Sequence, residues 1–364
     1  MATASTIPTD RLWLVSKKFD LTFLIGSALL AAIPLTMLYG FHVSTTAINL
    51  LVAGLVGGPH LYSTFGYTLA DGAYRKRFGW ALLPCVLIPM AVVWLALNNL
   101  VLLLTIFFFW ASIHVLHQIA YITDAYRFKD PRARSLFNRA IDYGLIFTGL
   151  YVNSSGRLVR GEFVVGGGTS PRSLLLPSFA QNAEWIPMLT AGAFTAFLVL
   201  YIIKTAKEAR EGRLNLPSVA LISVTTVMSL IIPTFKNIDI AFQGYNTWHS
   251  FQYLALVWYI NKLRLEHDEI KGPIMRAVVA PQSPLKFYGL FFLATVVAFG
   301  TSLVLQFGFG WPRDAAYYSV VLGTLLVHYY LDAINFTRWG LVVRDPTAAE
   351  LGRGMVPVPE AAVA

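Results

Sequence analysis

The sequence predicts an all-α fold: a polytopic transmembrane helical bundle of about ten spans, with both termini in the cytoplasm. Three observations predict it. The chain of 364 residues is 56% hydrophobic and only 13% charged, against roughly 25% charged in soluble domains. Apolar stretches about 20 residues long recur between short basic or Gly/Pro-rich connections, and lipid admits only helices or closed barrels because every backbone polar group must be satisfied internally. The strand alternation of an outer-membrane barrel is missing from these stretches.

Taken in order, the spans fall at about 20–41, 46–70, 79–97, 99–123, 139–152, 184–204, 214–235, 244–262, 284–305 and 315–337. Lys17 and Lys18 before the first apolar run resemble the start of a signal peptide. The run is long, contains Pro34 and lacks a small-residue cleavage site, so it reads as a retained first helix. Residues 1–19 form a cytoplasmic N-terminal segment and 20–340 a single transmembrane domain with an outer loop at 153–183. The tail 341–364 reads as disordered and cytoplasmic. The triple glycine Gly166–Gly168 sits in the outer loop without the strand and helix that a phosphate-binding loop requires.

Charge sets the orientation. With the N-terminus in the cytoplasm, 23 of the 28 Lys and Arg residues fall on cytoplasmic connections, and only Arg157, Arg160, Arg172, Lys236 and Arg313 fall outside. The net charge of +9 is therefore the signature of the positive-inside rule rather than of nucleic-acid binding. The expected location is a bacterial inner membrane, crossed many times. A lone cysteine, Cys85, excludes intrachain disulfides and thiolate metal clusters.

Histidine placement carries the functional signal. His42 lies at an outer helix end and His267 in the polar run "RLEHDEIK", whereas the other five histidines lie inside apolar spans. His60 precedes Arg75 by 15 residues, His114 and His117 precede Arg127 by 13 and 10, His249 precedes Lys262 by 13, and His328 precedes Arg338 by 10. At 1.5 Å per residue these depths are roughly 15–22 Å, near the middle of a hydrocarbon core about 30 Å thick. All five share one slab.

Helical spacing gathers polar residues around them into stripes. His60, Ser63, Thr64, Tyr67 and Asp71 share one face of the second span, and His114, His117, Gln118, Tyr121 and Asp124 one face of the fourth. Asn246, His249 and Gln252 stack on the eighth, and His328, Asp332 and Asn335 on the tenth. Such stripes avoid lipid, so four of them describe a polar chamber inside the bundle. His114 and His117 form an HxxH step suited to two metal ligands. Asp332, one turn after His328, is a ligand or the acceptor that orients an imidazole; pairing of Asp332 with Arg338 and of Asp124 with Arg127 is the competing role. Tyr67, Tyr121 and Gln252 are placed to line the chamber, and Trp248 beside His249 is a further candidate for its wall.

Imidazole with carboxylate and no thiolate suits iron, copper or zinc, and open coordination positions favour non-haem Fe(II) with oxygen chemistry. One or two ions are compatible with five histidines. A midplane site meets O2 and membrane-dissolved substrates directly, which points to an oxygenase acting on a lipid or isoprenoid. An electron donor is left open. The fragments "GGPH" (57–60), "SIH" (112–114) with Asp124 beyond, "WHS" (248–250) and "HYYLDAINFTR" (328–338) resemble, in the same order, the histidine-bearing segments of the Brp/Blh-type β-carotene 15,15′-dioxygenases. The resemblance covers about a fifth of the chain. It implies a polytopic membrane enzyme that cleaves a carotenoid with histidine-bound iron and O2, with His60, His114, His249 and His328 as ligands or close neighbours. Three departures stand out: Tyr253 occupies the position of the family's second histidine in the third fragment, His117 is additional, and this chain has more spans in its N-terminal and middle regions. Competing functions for the same residues are a bis-histidine haem b electron carrier, a metal-ion or proton transporter, and a non-catalytic assembly subunit.

Overall fold

The computed structural model describes residues 12–130, 135–165 and 172–337. Gly166–Gly168, Arg338 and the tail from 341 lie outside the described residues. The described chain is helical apart from a two-residue antiparallel pairing of Val164–Val165 with Arg172–Ser173. The helices are α1 Lys17–Tyr39, α2 (45–67), α3 Gly72–Leu82, α4 Pro84–Asn98, α5 Leu100–Phe128, α6 Leu136–Val159, α7 Trp185–Arg210, α8 Leu216–Thr234, α9 Ile238–Glu266, α10 Pro273–Val279, α11 Pro284–Gly308 and α12 Arg313–Thr337.

Six of these, α1, α5, α7, α8, α11 and α12, are long and apolar enough to cross a membrane, and the pair α3 and α4, bent by 61°, makes a seventh if it counts as one span. The bend follows Gly79, whose φ of +44° terminates the basic turn, and Pro84, which restarts the helix. α2, α6 and α9 are equally long but carry polar side chains along their inner faces. The outward faces are lined with exposed apolar side chains, such as Met188, Leu189 and Ile202 on α7 and Leu293 and Val297 on α11, as lipid contact requires.

Short polar caps start the helices. Ser135 Oγ accepts from Asn138 N, Asn99 Oδ1 from Leu102 N and Asn237 Oδ1 from Ile240 N. α6 is longer than its sequence suggests: residues 153–159, expected in the outer loop, continue the helix. Their polar groups are satisfied there, with Asn153 donating to Leu230 O at 2.8 Å and Arg157 to Pro233 O and Phe235 O at 2.8 and 2.7 Å. Hydropathy could not see those partners because they lie on α8 and the turn after it.

Ion pairs collect the basic helix ends. Arg127 binds Asp142 at 2.6 Å, Lys204 also reaches Asp142, Arg264 binds Asp71, and Lys129 donates to the carbonyls of Trp13 and Leu14. In place of the competing pairing with Arg127, Asp124 meets Arg139, 2.6 Å away, and Tyr143 OH at 2.7 Å. Arg127 is drawn instead to Asp142, whose carboxylate is 1% exposed.

Two local distortions position the interior. α2 contains a π-helical segment at Ala53–Gly57 just before Gly58, Pro59 and His60. Pro59 has no N–H for the carbonyl four residues back, Leu55, and Tyr288 OH of α11 donates to that carbonyl at 2.7 Å. A Cβ on Gly58 would stand 2.3 Å from Thr295, so glycine there lets α11 close in. α1 departs from α-helix over Asp20–Ala31, and its Ala31 carbonyl lies against Gly244 of α9, where a Cβ would come within 2.4 Å.

Candidate metal centre

Four helices each bring one histidine to the centre of the bundle: His60 from α2, His114 from α5, His249 from α9 and His328 from α12. All are 4% exposed or less. One ligand nitrogen from each lies within 4.8 Å of all the others. Ring centroids are 4.8 Å apart for His60 and His249, 4.5 Å for His60 and His328, and 4.9 Å for His114 with both His249 and His328, all steeply inclined. His60 and His114 lie across the diagonal, at 6.4 Å.

The nitrogens fit a metal ion. Ligand nitrogens about 2.1 Å from one ion are at most about 4.2 Å apart, and the four here, within 4.8 Å of one another, stand close to that limit. His60 Nε2, His328 Nε2 and His249 Nδ1 are buried with no hydrogen-bond partner, as is Asp332 Oδ2. Each such orphan costs free energy unless something pairs it. His114 Nε2 and His249 Nε2 meet at 3.2 Å.

A second layer fixes the rings. Ser250 Oγ donates to Asn246 Oδ1 at 3.3 Å, so the His60 Nδ1–H donates to Ser250 Oγ at 3.0 Å and the Nε2 lone pair is left facing inward. Thr64 Oγ1 lies 2.7 Å from His328 Nδ1 and donates to Asp332 Oδ1 at 3.4 Å, which orients His328 in the same sense. Tyr253 OH donates to Asp332 Oδ1 at 2.6 Å, and Tyr67 OH sits 2.9 Å from Tyr253 OH. Asn335 Nδ2 donates to Tyr67 OH at 3.1 Å and Tyr74 OH to Asn335 Oδ1 at 2.9 Å. The chain of donors ends on Asp332, whose Oδ2 is 3.5 Å from His328 Nδ1 and 3.9 Å from His114 Nε2.

The sequence candidates separate accordingly. His60, His114, His249 and His328 converge, with Asp332 beside them. His117 does not join them; it is half-buried, with its ring edge-on to Phe336 at 5.5 Å. Tyr67 belongs to the hydrogen-bonded layer, and Tyr121 stacks on Phe336 at 4.8 Å. Gln252 is engaged in packing: it accepts from Gln118 Nε2 at 2.7 Å and donates to Leu24 O at 2.5 Å, tying α9 to the distorted part of α1. Gln118 also reaches the His249 carbonyl at 3.2 Å. Trp248 is wholly buried beside Tyr245. Tyr253 is the site residue absent from the polar stripes; it follows His249 by four residues, one turn, and so shares its face.

No family model, no curated protein and no solved structure matches this chain. Fold and site together define a multi-pass helical membrane protein with four buried histidines able to hold a metal ion.

Proposed function

We propose that this protein is a membrane-embedded non-haem iron oxygenase acting on a hydrophobic lipid or isoprenoid, with oxidative cleavage of a carotenoid as the leading reaction. The observation that carries it is the convergence of four buried imidazole nitrogens within 4.8 Å, three of the rings keeping a buried nitrogen without a partner. Supporting it are the four sequence fragments that resemble the Brp/Blh-type β-carotene dioxygenases, each of which brings its histidine to this point. His60, His114, His249 and His328 would hold one Fe(II), with Asp332 as a neighbouring anion. Bound there, the iron would supply activation of O2 for insertion into an apolar substrate.

The chain's own residues prepare that site. Ser250 and Thr64 hold His60 and His328 in the tautomers that turn a lone pair inward. Asp332 places a carboxyl group beside the imidazoles, which when ionised would offset a cation's charge in a medium that solvates charge poorly. Tyr329, stacked on His114 at 4.1 Å, and Phe336 wall the site with aromatic surface and keep water out. Cleaving one double bond into two carbonyls uses both atoms of O2, so this reaction needs no external electron donor. Haem b fits the residues less well: with two imidazoles as axial ligands, the other two would stand where the macrocycle must lie.

Beside the six apolar helices we count α2, α6, α9 and the bent pair as spans, which would make ten. The basic bias puts both termini in the cytoplasm of a bacterium, with lipid, O2 and a hydrophobic small molecule as partners and no nucleic acid. Elemental analysis of the purified protein, joined to expression in a β-carotene-producing bacterium, tests the proposal. Iron near one per chain and loss of colour with an aldehyde product support it. A folded protein that takes up no iron, copper or zinc ends it.

A further inference from the structure

We infer that the substrate enters sideways from the bilayer between α5 and α12, past His117 and Phe336, and that it carries a hydroxyl or carbonyl oxygen which His117 binds. The fate of the substrate after entry rests on the oxygenase reading, but the contact itself stands on His117 and its surroundings. His117 is three residues beyond His114, a rotation of about 300° at 3.6 residues per turn, which leaves its ring some 60° off the inward face. It is half-buried where His114 is 4% exposed. Ile106 and Ile113, on the same side of α5 toward its outer end, are 39% and 50% exposed, whereas Tyr121 and Asp124, further along that side, are buried and Asp124 is paired to α6, so the lipid-facing part of this flank ends at the level of His117.

An imidazole at that position is expensive unless something bonds it. Among the described residues His117 makes no hydrogen bond, and its ring contact is the edge-on approach to Phe336 at 5.5 Å and 87°. It lies ten residues before Arg127, roughly 15 Å from the basic helix end, too deep for a phospholipid headgroup. Acyl chains and unsubstituted polyenes offer it neither donor nor acceptor. An oxygen function on an otherwise apolar molecule offers both.

Phe336 is the partition between this outer histidine and the inner four. Its centroid is 6.3 Å from His114, 6.4 Å from Tyr253 and 4.8 Å from Tyr121. One aromatic side chain therefore lies against both half-buried His117 and the edge of the ligand cluster. A chain bound by its oxygen at His117 and threaded past Phe336 arrives directly at His114.

The test uses the full chain in phosphatidylcholine nanodiscs, with and without iron, and a matched probe pair: β-carotene and its 3,3′-dihydroxy form, zeaxanthin. Quenching of tryptophan fluorescence gives the two affinities. Wild type should favour the dihydroxy probe by roughly five- to tenfold, the worth of one hydrogen bond. His117→Leu should abolish that preference, leaving β-carotene affinity and iron content unchanged, and His117→Gln should keep part of it. The inference is overturned if wild type binds neither probe or shows no preference, if His117→Leu weakens both probes alike, or if it loses iron. Selective binding by a wild type that takes up no iron would instead support the His117 contact and defeat the oxygenase reading.

Discussion

At the scale of single residues, the centre is a contest between burial and pairing. Four imidazoles packed at 4.5 to 4.9 Å in a greasy interior leave nitrogens without partners, an arrangement that is costly in itself and relieved by a cation. His114→Ala or His328→Ala should accordingly abolish metal binding, measured as iron per chain, while His267→Ala, at an exposed helix end, should leave it at the wild-type level. Thr64→Val keeps the shape of the side chain but removes the hydroxyl that links His328 Nδ1 to Asp332. Its metal affinity, read by competition with a chelator, should fall by roughly 10- to 100-fold, the usual cost of losing a partner that orients a ligand. A result equal to wild type would show that Thr64 serves packing alone. Most of this site was legible before the fold was known, since the depths of His60, His114, His249 and His328 can be counted along the chain. Tyr253 was legible only as the residue standing where the resemblance has a histidine, and its part in the site appears once its hydroxyl is seen 2.6 Å from Asp332.

Among the helices, close approach decides the geometry. Gly244 lets α9 touch the α1 backbone at Ala31, and about two turns further on Gln252 donates to the Leu24 carbonyl in the distorted stretch of α1. Gly244→Ala should therefore destabilise the bundle by about 1–3 kcal/mol, as overpacking against backbone does. A Cβ at Gly192 of α7 meets nothing within 4 Å, so Gly192→Ala should be neutral or slightly stabilising. Thermal unfolding of both variants in the same detergent checks the contrast; equal shifts would contradict the α1–α9 contact. In the sequence Gly57, Gly58 and Pro59 stand only as part of the fragment that ends on His60. The π-helical segment, the Tyr288 bond to Leu55 O and the close passage of α11 together set how His60 is aimed.

For the whole molecule, basic helix ends and lipid-facing flanks make one vectorial object. Cys85 is the chain's sole cysteine, so Cys85→Ala gives a clean background for single-cysteine labelling. In that background His267→Cys should react with a membrane-impermeant maleimide only after the cytoplasmic face is exposed, and His42→Cys should react in intact cells. Both residues are exposed. Labelling of both from one side would overturn the orientation. Metal should also stabilise the fold as a unit: at a hundredfold excess over Kd the gain is about 2.7 kcal/mol. A midpoint that does not rise with added Fe(II) under anaerobic conditions would argue against a preformed site.

The helical membrane class and the shared depth of the histidines are legible in the chain alone. Each of these depends on distance along a helix, which advances by a constant 1.5 Å per residue whatever surrounds it. Only the tertiary structure decided which faces meet. Rotation about a helix axis accumulates about 100° per residue, is reset by a π-helical segment such as Ala53–Gly57, and is selected by packing partners far away in the chain. For that reason His117, at the right depth, stands at the edge of the centre rather than in it, while Tyr253, outside every stripe, and Thr64, legible only as one member of a stripe, both lie within it.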